Sequence, residues 1–176
     1  MEGSTALRPE ADGADLVDII GRSVLELLHD GHREMRDAVN GLGADALDWR
    51  PTTTGNSIAV LVAHTLDAER FLLRTALDRT FERDREAVFR IHGQSPDQLV
   101  GLIDSTTLEL DSLVAEITTA DLGRIVARRQ TRLGAGWLLR APEHSREHIG
   151  QVFLTRDLWL ERSPRAEPDR APTADL

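Results

Sequence analysis

The chain has 176 residues, a formal net charge of −9, and a composition that is 40% hydrophobic but only 4% aromatic. This length fits one domain, and the aliphatic composition favours packed helices over a β-sandwich, which is richer in aromatic and β-branched residues. An acidic surface repels phosphates, which argues against nucleic acid and anionic membranes as partners. The sequence has neither a long apolar run nor a signal-peptide pattern, which predicts a cytoplasmic protein. All 21 basic residues are Arg, and Cys and Tyr are absent, so the chain itself offers no thiolate, Schiff-base lysine or phenol for catalysis.

Apolar residues recur at spacings of three and four in four segments, which predicts four amphipathic helices. In chain order these helices cover about 14–40, 56–78, 95–118 and 137–161. Asn56 or Ser57 caps the second helix, whose apolar stripe is wide enough to predict deep burial. Ser95, Pro96 and Gln98 form a capping box with proline in the first turn, which gives the third helix the clearest start of the four.

The segments between and beyond these helices complete the predicted domain organisation. Residues 79–93 are charged and irregular, which predicts a long connection across the bundle. Residues 1–13 are predicted to be a flexible N-terminus, and the Pro-rich residues 163–176 a disordered tail. With no strand pattern, residues 14–162 are predicted to form an all-α four-helix bundle with a long crossover connection. The fourth helix is expected to pack beside the second.

His144 and His148 form the most specific pair for chemistry. Residues four apart share one helix face, and this face also carries the apolar residues of the fourth helix, so both imidazoles are expected to point into the bundle. Burying them without partners would cost several kcal/mol in unmet hydrogen bonds. Either nearby carboxylates or a metal ion, completed by a third ligand from another helix, would satisfy them.

Four further histidines are candidates for that third ligand. His64 lies on the flank of the second helix, and it is the one remaining histidine on a helix expected to be central. His29 and His32, on the first helix, are predicted to be solvated surface residues. His92 precedes a glycine in the irregular connection, where a histidine usually has no special role.

Three stretches of the sequence, taken in order, resemble the DinB superfamily. They are Asp48-Trp49-Arg50-Pro51, the segment from Asn56 to His64, and the segment from Glu143 to Gln151 that contains His144 and His148. The resemblance covers roughly Asp15 to Leu160. It implies a four-helix bundle with a long crossover, a homodimer, and a triad of His64, His144 and His148 that binds zinc, nickel or a similar divalent ion.

The family also implies a class of chemistry. It includes bacterial transferases and isomerases that use mycothiol or bacillithiol, together with many members that have no assigned activity. The resemblance therefore implies a low-molecular-weight thiol as cosubstrate and an electrophilic small molecule as substrate.

Pro142 is a departure from the family pattern, because proline inside a helix removes a hydrogen bond and clashes one turn back. Two structures are compatible with it. The last helix is kinked at Pro142, or the helix starts there with Pro142 at its first position. In the second case His144 lies in the first turn, where the positive helix end keeps its imidazole neutral.

Two functional hypotheses follow. In the first, the chain is a metal-dependent S-transferase or isomerase, since three protein ligands leave a coordination position open. Glu147 and Glu69 are then candidate catalytic carboxylates, and Glu69 is alternatively the partner of a core-facing Arg. Arginines near the pocket would hold carboxylates of the thiol or the acceptor, the candidates being Arg70, Arg140 and Arg146. In the second hypothesis, the chain is a non-catalytic, metal-binding, stress-associated dimer.

Overall fold

The computed structural model describes residues 16–162, and four long helices form the bundle. They are α1 (Leu16–Val39), α3 (Ile58–Ala76), α5 (Pro96–Ala115) and α7 (Gly134–Arg162), joined by the short helices α2 (Ala44–Asp48), α4 (Arg85–Phe89) and α6 (Thr119–Gly123) and the strands β1 (Ile125–Ala127) and β2 (Thr131–Leu133). The predicted helical bundle is therefore confirmed. The predicted flexible N-terminus (1–13) and disordered tail (163–176) lie outside the described residues.

Each long helix packs against two others, in the cyclic order α1, α7, α3, α5. The most extensive interface joins α3 and α7, as expected for the second and fourth predicted helices. The start of α3 is fixed by Ser57, whose hydroxyl accepts from the Val60 amide at 3.3 Å. The predicted capping box of α5 is present, with Ser95 and Gln98 bonded reciprocally at 3.2 and 2.8 Å.

The bundle interior contains two apolar clusters separated by a layer of polar side chains. One cluster includes Met35, Leu66, Ile103 and Ile149, and the other includes Leu28, Leu72, Leu110 and Ala141. Between them, each long helix contributes one residue to what we call the polar layer: His32, Glu69, Thr107 and Ser145.

A small hairpin was not expected from the sequence. Antiparallel β1 and β2 pair Ile125 with Leu133, Val126 with Arg132 and Ala127 with Thr131. Strands of three residues in which only Val126 is buried carry no readable alternation of apolar and polar positions. The hairpin is tied to α7 through Trp137, whose Nε1 donates to the Val126 carbonyl at 3.2 Å.

Helix α7 also begins earlier than predicted. It starts at Gly134, and a Cβ built there would lie 2.0 Å from the Asp121 carbonyl oxygen, so only glycine allows this close approach to α6. Pro142 lies inside a continuous helix, and the alternative that placed it at the helix start is wrong. The turns before it remain helical because Trp137 and Leu138 are buried in the core, which offsets the lost hydrogen bond.

The connection after α3 is also more ordered than its composition indicated. It contains α4, capped by Asp84, whose carboxylate accepts from the Ala87 amide at 2.8 Å. Within residues 16–162, none of the helices combines the length and apolar character needed to cross a membrane.

Candidate metal centre

The structure brings His64, His144 and His148 together where α3 packs against α7. One ring nitrogen of each lies within 4.8 Å of those of the other two. The ring centroids are 5.4 Å apart for His64 and His144, 4.9 Å for His64 and His148, and 4.4 Å for His144 and His148. His64 is only 7% exposed, and the two histidines of α7 are half-buried.

The helix geometry explains this convergence. His144 and His148 are one turn apart, and the residue between them that faces the interior, Ser145, reaches the polar layer. The ring of Phe89, from α4, packs on His64 with centroids 4.8 Å apart. The connection between α3 and α5 thus covers one side of the histidine cluster.

The nitrogen atoms of the cluster fit a divalent metal ion. His64 Nδ1 is buried and has no hydrogen-bond partner. Such burial costs free energy unless the nitrogen binds a metal ion or forms a hydrogen bond. His148 Nδ1 donates to the Gln151 side-chain oxygen at 3.0 Å, which leaves Nε2 of that ring with a free lone pair. Zinc and nickel both accept imidazole nitrogen.

The electrostatics of the cluster keep two of these imidazoles uncharged. Burial, followed by the proximity of His148 and His144, lowers the pKa of His64 to about 4. Burial, followed by His148 and Arg140, lowers the pKa of His144 to about 4. At neutral pH both rings are therefore in the neutral form that coordinates metals.

A cavity of about 440 Å³ lies beside the histidine cluster, with His64 and His144 in its wall. Its apolar lining residues are Ala68, Phe71, Leu72 and Trp137. Its basic lining residues are Arg83, Arg85, Arg129 and Arg140. A pocket of this size is within the range used by small-molecule ligands.

The two predicted catalytic carboxylates lie elsewhere. Glu69 is fully buried in the polar layer, where its oxygens bond Ser145 Oγ and, at 2.8 Å, His32 Nε2. Its partner is therefore a histidine, and not the arginine considered from the sequence. Glu147 is exposed on α7, 4.0 Å from Arg140. Neither carboxylate lines the cavity.

Of the three arginines considered from the sequence, only Arg140 lines the cavity. Arg70 pairs with Glu109 at 2.9 Å, and Arg146 pairs with Glu34 at 2.7 Å, so both are engaged on other faces of the bundle. The sequence reasoning missed Arg83, Arg85 and Arg129. Their position in irregular segments gave no helical face on which to place them.

The prediction for His32 was wrong. This residue is 1% exposed, and its Nδ1 donates at 2.7 Å to Thr107 Oγ1, whose own hydroxyl donates to the Ile103 carbonyl. His29 is half-buried and pairs with Asp111 at 2.7 Å. His92 is exposed in the connection between α3 and α5, away from the histidine cluster.

Comparisons with known proteins complete the description. The model of the DinB superfamily matches residues 27–152, a segment that contains all three clustered histidines. No curated protein matches the chain. A conserved protein from Enterococcus faecalis has a similar structure, with a TM-score of 0.68 and 13% identity over 80% of this chain and 97% of that one. A DinB-like protein from Bacillus subtilis gives a TM-score of 0.61 and 16% identity over 77% of this chain and 91% of that one. These two likenesses concern the fold alone, whereas the family match covers most of the sequence. The chain belongs to the DinB superfamily.

Proposed function

We propose that His64, His144 and His148 bind one divalent metal ion, zinc or nickel. The proposal is supported by three imidazoles with nitrogens within 4.8 Å of one another and by the unpartnered Nδ1 of His64. Three protein ligands leave at least one coordination position open, which is the arrangement of catalytic rather than structural sites.

We further propose that the protein is a metal-dependent enzyme, an S-transferase or isomerase that uses a low-molecular-weight thiol. The observation that carries this proposal is the 440 Å³ cavity beside the histidines, because a catalytic site needs a pocket for its substrate and a purely structural site does not. A bound divalent ion lowers the pKa of a coordinated thiol and so supplies a nucleophile at neutral pH. Since the chain contains no cysteine, the thiol must arrive as a cosubstrate such as mycothiol or bacillithiol.

The chain's own residues would bind, orient and shield the reactants. The neutral imidazoles of His64 and His144 act as ligands without first losing a proton. Phe71 and Trp137 exclude water from one side of an electrophilic substrate, and the guanidinium of Arg140 neutralises negative charge beside the histidines.

The expected homodimer and cytoplasmic location are part of the same proposal. Leu154 and Leu158 are exposed one turn apart on α7, and a second copy of the chain would cover such side chains. A monomeric sedimentation profile at micromolar concentration would contradict the dimer.

A turnover assay tests the enzymatic proposal. Metal-loaded protein is incubated with mycothiol or bacillithiol and a panel of electrophiles, including maleylpyruvate and a chlorinated aromatic. We expect thiol consumption by the wild type and by His92→Ala, an exposed-histidine control, but not by His148→Ala. If the wild type consumes no more thiol than His148→Ala, and thiol leaves the spectrum of the cobalt-substituted protein unchanged, the enzymatic proposal is wrong.

A further inference from the structure

The cavity beside the histidine cluster is basic, although the protein as a whole is acidic. The chain has 30 acidic and 21 basic residues, yet four arginines and no carboxylate line this cavity. They come from three separate parts of the fold: the connection after α3, the hairpin, and α7. Arginines from distant segments that meet at one cavity, without acids among them, create a local positive potential that favours an anionic ligand.

Two of the four arginines already have carboxylate partners. Arg83 Nε donates to Asp67 at 2.7 Å, and the Arg83 guanidinium lies 4.8 Å from the Phe71 ring centroid, so this side chain is fixed and its charge is neutralised. Arg140 pairs with Glu143 at 3.0 Å and lies 4.0 Å from Glu147; Arg140 itself lines the cavity, whereas neither glutamate does.

Arg85 and Arg129 are different, because within residues 16–162 neither forms a salt bridge. The Arg85 guanidinium lies 5.4 Å from the Phe89 ring centroid, and the Phe89 ring packs on His64. Arg129 belongs to the turn of the hairpin, which the bond between Trp137 and Val126 holds against α7. The two uncompensated charges therefore come from different segments of the cavity wall, α4 and the hairpin turn, and Arg85 contacts the ring that packs on His64.

We propose that the cavity binds a small organic anion whose carboxylate or phosphate group is held by Arg85, Arg129 and Arg140. Its apolar part packs against Phe71 and Trp137. A guanidinium presents paired donors that match the oxygens of either group, and Phe71 and Trp137 line the same cavity. The identification of this anion as the acceptor of the thiol transfer rests on the proposed function. It narrows the proposed substrate class to anions that also have an apolar part.

Ligand-observed fluorine NMR tests the inference with three probes of similar shape. They are para-fluorobenzoate, para-fluorophenyl phosphate and the neutral para-fluorobenzamide. We expect the wild type to bind at least one anion about tenfold more tightly than the amide, the difference that one charge-assisted hydrogen bond provides. The anion that binds better identifies the group that the arginines recognise. Equal affinity for the amide and both anions would overturn the inference without the need for any variant.

The double variant Arg85→Gln, Arg129→Gln locates the site. Both residues are exposed, so their replacement leaves the core intact. The control Arg33→Gln, Arg36→Gln also removes two positive charges, but from arginines of α1 outside this cavity. We expect the cavity double variant to lose about tenfold in anion affinity and to keep its affinity for the amide, with the α1 double variant like the wild type. An equal loss in the α1 double variant would mean that overall charge, and not this cavity, attracts the anion.

Metal analysis of the same samples separates this inference from the proposed function. The cavity double variant is expected to retain as much metal as the wild type. If the wild type retains no metal but still binds the anion through the arginines, the anion site is supported and the metal centre is refuted. Metal retention without anion preference would refute the anion site alone.

Discussion

Acidification of the metal-free protein is the perturbation that tests the histidine cluster most directly. The pKa of His64 is about 4 in the folded chain, below the ordinary value of 6.5. Between these values the unfolded chain binds a proton that the folded chain does not, so unfolding becomes easier as the pH falls. The contribution of His64 to the free energy of unfolding is therefore complete above pH 6.5 and is lost progressively as the pH falls to about 4.

The size of this effect follows from the shift and from the burial of the ring. A displacement from 6.5 to about 4 corresponds to about 3 kcal/mol in the free energy of unfolding. His64 is only 7% exposed, so solvent screens this contribution little. His144 titrates in the same direction, but it is half-buried and contributes less.

Urea denaturation of chelator-treated protein at several pH values between 7.5 and 4.5 measures the effect. Other groups titrate in this range, so the informative quantity is the difference between the wild type and His64→Gln. We expect the wild type to lose about 2 to 3 kcal/mol more than the variant on acidification. His92→Gln, which removes an exposed histidine, should follow the wild type. Parallel curves for the wild type and His64→Gln would show that His64 titrates normally, and the electrostatic account of the cluster would be wrong.

Three further predictions concern the metal, the polar layer and the helix contacts. His148→Ala should abolish metal retention in mass-spectrometric analysis while circular dichroism stays helical, since the apolar clusters form without the site; loss of the fold together with the metal would contradict this. Glu69→Ala should reduce the free energy of unfolding by about 3 kcal/mol because it leaves a buried histidine without its partner, whereas the exposed control Glu147→Ala should change it by less than about 0.5 kcal/mol. Gly134→Ala should destabilise the fold by about 1 to 3 kcal/mol, since its Cβ meets a carbonyl oxygen at 2.0 Å. Gly136→Ala should be tolerated, because the nearest heavy atom to its Cβ is 3.6 Å away; equal melting temperatures for the two glycine variants would refute the packing argument.

The long helices could be predicted from the sequence because each has an apolar stripe of its own. The caps at Ser57 and Ser95 are local signals, and the structure contains both. The pair of histidines on α7 is also local, since four residues of helix bring them to one face. Placing His64 beside them required the family resemblance, because nothing in the spacing of one helix specifies its neighbour.

The features that sequence reasoning missed depend on contacts between distant segments. His32 lies at the edge of the apolar stripe of α1, which predicted a surface position. It is buried because Glu69, 37 residues away, offers it a partner. The hairpin is too short to show alternation, and its contacts are with distant segments: Val126 with Trp137, and Arg128 with Asp78 at 2.9 Å. The cavity arginines Arg85 and Arg129 come from segments in which the sequence shows no helical or strand periodicity.

The polar layer sets the axial alignment of the helices. Two purely apolar clusters would tolerate a slip of α7 along α3 by one turn, about 5.4 Å, because one aliphatic side chain can replace another in such contacts. A slip of that size would separate Ser145 from Glu69 and leave buried polar groups unpaired. It would also displace His144 and His148 from His64 by a full turn. The hydrogen bonds at the centre of the bundle thus fix the relative positions of three histidines that they do not contact. A chain built in this way can exchange the residues of its histidine cluster for others without losing the helix alignment that any new site would need.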